Sequence, residues 1–133
     1  MKVDKDTAKA DVERWLEAKN FPERKKTKYE EQINELIEMV QYGELLVSED
    51  GLLTYKIQCP SNEADSPTES IEFKNRISPK AVMLCLQKYK NPNSSHAQII
   101  AHVSAASSLT TGQVEKLDTT DFSAVSNIAV FFM

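Results

Sequence analysis

Three observations predict an α+β fold. Apolar residues recur with helical spacing at both ends of the chain, strand-like alternation is confined to the middle, and the last third carries almost no charge. Contiguous strands with segregated helices speak against the alternating order of a parallel α/β sheet. A chain of 133 residues suffices for one core. It divides by charge into a helical hairpin appendage, residues 1–42, and an α+β domain, residues 43–133.

Residues 4–19 place Ala8, Val12, Trp15 and Leu16 at helical spacing among charges, which predicts the first helix. Asn20-Phe21-Pro22 ends it. Pro22 suits the first position of the next helix, where its missing N–H loses no partner. Tyr29, Ile33, Leu36, Ile37 and Val40 form the stripe of that helix, over 23–42, opposite Lys25, Lys28, Glu31, Glu35 and Glu38. Gly43 is its expected C-terminal cap.

The period then drops to two. Residues 45–48 and 52–58 flank Glu49-Asp50-Gly51, where Gly supplies positive φ to a hairpin turn. Leu53, Tyr55 and Ile57 face one way and Thr54, Lys56 and Gln58 the other. Residues 59–69 are polar and hold Pro60 and Pro67, which predicts a loop. Ile71, Phe73 and Ile77 alternate with Glu72, Lys74 and Arg76 in a third strand. The apolar face of such a sheet needs a cover. The helix begun by Ser78-Pro79 is expected to supply it, through Val82, Cys85, Leu86 and Tyr89.

A helix over 95–106 follows, then a capping box, Thr110-x-x-Gln113, for a short helix ending near Leu117. Asp118 or Asp121 caps the last helix, whose stripe is Phe122, Val125, Ile128, Ala129 and Phe132. Phe132 is therefore expected inside and Phe131 on another side, free for a neighbour.

Several function classes are disfavoured. A net charge of −4 lacks the basic face of a nucleic-acid binder. Cys59 and Cys85 make neither a disulfide framework nor a CxxC metal site, and read as the thiols of a cytosolic protein. The charged N-terminus is no secretory signal, and no apolar run of about 18 residues predicts a membrane span. G-x-S-x-G, P-loop and H-E-x-x-H patterns are absent. His96 and His102, at i and i+6, share no helix face and do not chelate one metal; His96 is expected at the core edge. The expectation is a non-enzymatic protein without cofactor or metal. Trp15 either packs on the second helix or anchors an interface. Trp15, Ile99, Val103, Phe131 and Met133 are the residues expected to meet a partner.

The C-terminal block resembles the tail assembly chaperones of long-tailed bacteriophages and prophages. The matching residues are Ile99-Ile100-Ala101, Val114-Glu115-Lys116-Leu117-Asp118, Asp121-Phe122, and 125–130 leading into Phe131-Phe132. Upstream, Ile57-Gln58-Cys59-Pro60, the strand over 71–76 and the Ser78-Pro79 helix start are also similar. The resemblance covers residues 45–133; the charged helices before Gly43 lie outside it. It implies a protein of the bacterial cytoplasm that binds the helical tape-measure protein before the tail tube forms around it. Self-association or contact with the tail tube protein are further expected partners, and a structural tail component or a small adaptor is the alternative role. No nucleic acid and no membrane enter either role.

Overall fold

Helices and strands fall in the expected order in the computed structural model, which describes residues 3–60 and 69–133. Among them are α1 (Lys5–Ala18), α2 (Glu23–Lys26), α3 (Glu30–Gln41), β1 (Leu45–Val47), β2 (Leu53–Lys56) and β3 (Ser70–Phe73). Then come α4 (Pro79–Leu86), α5 (Ser95–Ala106), α6 (Thr111–Glu115), α7 (Thr119–Ala129) and a closing 3-10 turn (Val130–Phe132). The fold is α+β. Most of the expected loop over 59–69, Pro67 included, lies outside the described residues. No helix among the described residues is long and apolar enough to cross a membrane.

Local chemistry sets the helix ends. The Asp4 carboxylate accepts from the Thr7 amide and caps α1. Asn20, at φ 57°, then turns the chain left-handed. Phe21 N–H donates to the Leu16 carbonyl at 2.9 Å and Asn20 N–H to that of Glu17 at 3.0 Å, so α1 ends in a Schellman motif. Gly43, at φ 77°, ends α3 the same way: Glu44 N–H reaches the Met39 carbonyl and Gly43 N–H that of Val40. The helix expected over 23–42 is broken. Tyr29 leaves helical dihedrals (φ −103°, ψ 23°), and its ring packs 5.7 Å from Phe21 and 5.6 Å from Phe131. Tertiary aromatic packing overrides the helical pattern there.

The three strands form one antiparallel sheet in the order β1-β2-β3, with Leu45 opposite Tyr55 and Tyr55 opposite Ile71. Leu45, Leu53, Tyr55, Ile71 and Phe73 point inward and are buried. The third strand stops at Phe73 instead of running to Ile77. Its edge turns to the end of α5: Phe73 bridges Ser107, and Lys74 N–H donates to the Ala106 carbonyl at 2.6 Å.

Two expectations are corrected by the core. First, α4 does not cover the sheet. Val82 packs with Ala101 and Ala105 of α5 in a satellite cluster, while α1 and α3 pack on β1. Second, the charged N-terminal segment is no appendage. Ala8, Val12, Trp15 and Leu16 of α1 and Leu36, Ile37, Met39 and Val40 of α3 belong to one core with the sheet, α5 and α7. A two-helix hairpin exposes too much apolar surface alone, and the sheet offers the nearest cover. Arg14 fastens the joint, donating from Nε to the Ser48 carbonyl at 2.9 Å and from a terminal nitrogen to that of Val47 at 3.0 Å.

Candidate partner-binding surface

The largest exposed apolar side chains that share one helix stand on α4. Ser78 accepts from the Ala81 amide and Pro79 opens the helix, as its sequence requires. Six apolar residues follow in a row, Ala81 to Leu86. Docking on α5 uses only part of them. The small side chains of Ala101 and Ala105 let α4 approach and bury Val82. At about 100° per residue the next two positions then rotate away from α5. Met83 is 64% exposed and Leu84 57%.

Beside them runs a groove of about 340 Å³. Ile77, Ser78, Pro79, Val82, Met83 and Leu86 line it, together with Gln98 and His102 of α5 and Phe132. His102 donates from Nδ1 to the Gln98 carbonyl of its own helix at 2.7 Å. The groove is mostly apolar, with Ser78, Gln98 and His102 as its polar lining residues. Chemically it can shield an apolar helix stripe. Among the described residues no group of three His, Cys, Asp or Glu side chains is placed to hold a metal.

The residues expected to meet a partner are placed differently. Trp15 and Val103 have no exposure, and Phe131 is buried between Trp15, Phe21 and Tyr29, with ring centroids 5.3–5.6 Å away. These three serve the core. Ile99 is half-buried against it, and Met133 is exposed at the chain end.

The expected positions of Phe131 and Phe132 are thus reversed. α7 ends at Ala129, and Val130–Phe132 wind as a 3-10 turn. That turn advances about 120° per residue against about 100° in an α-helix. The tighter winding swings Phe131 toward the buried stripe and Phe132 off it. Phe132 is left half-buried, its ring 4.1 Å beneath the Lys19 ammonium. His96 is also corrected. It is exposed, not at the core edge, and its ring lies 5.2 Å from that of Phe122.

Met83 and Leu84 did have a signal in the sequence. They are large, apolar and off the stripe Val82, Cys85, Leu86 assigned to the core. An apolar residue off the buried face of a short helix must be solvated or covered by something else.

No protein-family profile, curated protein or solved structure matches this chain.

Proposed function

We propose that this chain is a non-enzymatic tail assembly chaperone of a long-tailed phage or prophage. It holds apolar helical stripes of the tape-measure protein in solution until the tail tube encloses them. The observation that carries this reading is the pair Met83 and Leu84, standing in water at 64% and 57% exposure beside an apolar groove. A long helical client exposes such stripes and aggregates unless they are covered. A helix laid into a groove is the matching mode of recognition. Release must be easy, and modest affinity repeated over many copies along one client provides both capture and release.

The test is co-expression with the large helical tail protein. The native chain should keep that protein soluble and co-elute with it on a sizing column. Met83→Asp with Leu84→Asp should abolish both effects while leaving the unfolding midpoint nearly unchanged, since both side chains are already solvated. Rescue by the double variant as complete as that by the native chain would overturn the proposal.

A second reading, a structural tail subunit, draws on Leu46 and Leu52. They are 47% and 45% exposed on and beside the strand β1, and apolar side chains left in water on a hairpin invite a neighbouring chain. Presence of the protein in purified tails would favour it, because a chaperone leaves before maturation.

A further inference from the structure

Net charge is −4, yet one cleft is cationic. It has a volume of about 270 Å³ and opens between the corner after α1, residues 75–77 and the closing turn. Lys19, Lys25 and Arg76 line it together with Phe21, Tyr29 and Phe132, and no Asp or Glu is among its lining residues.

Two of the cations there, Lys19 and Arg76, are held by carbonyls instead of carboxylates. Lys19 is only 8% exposed; its Nζ donates to the Asn75 carbonyl at 3.2 Å and sits over the Phe132 ring. Arg76 donates to the Lys19 carbonyl at 3.1 Å. Among the described residues none of the three cations forms an ion pair. Asn75, on the same wall, keeps Oδ1 buried and without a hydrogen-bond partner. Burial, and then the charge of Arg76, push the Lys19 amine down to about 8. Three cations gathered here, Lys19 buried and Lys25 and Arg76 more open, make a place where an incoming anion is welcome.

We infer that this cleft receives a carboxylate side chain of the partner polypeptide, next to the apolar stripe that fills the α4–α5 groove. The inference rests on the chaperone reading and adds a chemical signature to its client: an apolar helix face flanked by Glu or Asp. Continuity supports it, because groove and cleft share Ile77 and Phe132. Size supports it too, since about 300–1,000 Å³ is usual for a drug-sized ligand, and this space suits one or two side chains. The aromatic walls suit the methylene stem of Glu, and the cations its carboxylate.

The probe is a pair of helical peptides of about 20 residues with one Leu stripe, carrying Glu beside it in one and Gln in the other. Calorimetric titration of the full chain should show the Glu peptide binding about tenfold tighter. That preference should vanish in Lys25→Gln/Arg76→Gln and in about 1 M salt, where screening acts within about 3 Å. Lys25→Gln alone, at a side chain with no hydrogen bond to lose, should halve it or more. Met83→Asp should weaken both peptides alike. Equal binding of the two peptides would overturn the cleft while leaving the groove intact, and binding of neither would sink both. Free glutamate or inorganic phosphate competing as well as the peptide would assign the cleft to small anions and overturn the inference.

Discussion

Asp121 shows how one side chain changes meaning once its neighbours are in place. Its spacing with Val125 and Ile128 puts it on the buried face of α7, so the face was readable although the partners were not. Asp118 is the N-cap, accepting from the Thr120 amide. Asp121 has no exposure. It accepts from the Tyr55 hydroxyl at 2.6 Å and from the amides of Gln58 at 2.8 Å and Cys59 at 2.9 Å, tying α7 to the end of β2. Asp121→Asn turns two acceptors into one and should cost about 1.5–3 kcal/mol in urea unfolding. Asp118→Ala, exposed, should cost about 0.5–2 kcal/mol, toward the lower end. A larger loss at Asp118 would contradict this assignment. The two C-terminal rings obey similar logic. Phe131→Ala should cost about 3–5 kcal/mol and Phe132→Ala clearly less, and equal losses would undo the account of the 3-10 turn. Lys19 sets a pH dependence. Its folded pKa of about 8 lies below the 10.5 of a free lysine, so the unfolded chain binds more protons between those values. Stability should therefore rise from about pH 8 toward pH 10. Burial and the bond to Asp121 hold the Tyr55 hydroxyl protonated well above its usual range, which reverses the trend above about pH 10. Urea midpoints at pH 7 and 9.5 should shift upward less in Lys19→Met than in the native chain; identical shifts would remove Lys19 as the cause.

Caps and turns were the most legible elements, because they depend on residues three or four apart. Ser78, Thr110 with Gln113, and Gly43 all occupy the positions their chemistry suits. What could not be read was the lateral packing of an element. Gly51 illustrates the boundary. Its turn role follows from Glu49-Asp50-Gly51, and φ is 82°. Its second role does not: a Cβ at Gly51 would stand 2.4 Å from the Ala18 Cβ of α1, where helix and hairpin touch. Gly51→Ala should therefore cost more than Gly43→Ala, and more than about 2 kcal/mol in total, because overpacking adds to the left-handed strain. Adding Ala18→Gly should recover part of the loss despite its own helix penalty of about 1 kcal/mol. If the double variant were merely additive, the close approach would not be the cause. The break at Tyr29 and the short third strand have the same origin. In each, a backbone leaves its periodic pattern because a distant element offers better partners, Phe131 in one and the end of α5 in the other.

The chain as one body is held by contacts between its two ends. Trp15 packs on Phe131, Phe21 packs on Phe131, and the α1–α3 pair covers β1. A chain lacking residues 1–42 should lose a cooperative unfolding transition and expose surface that binds hydrophobic dyes. A sharp transition in that fragment would restore an independent domain over 43–133. Charge density made the first helices look detached, yet charge on a helix describes only its wet face. The order of helices and strands, the caps, the turns and which positions are apolar were all written in local sequence, because propensity, capping and periodicity act within a few residues. Which apolar residues are covered and which stay in water could not be written there. Trp15 and Phe131 went inside and Met83 and Leu84 stayed out because burial depends on which surfaces meet, and those surfaces come from segments far apart in the chain.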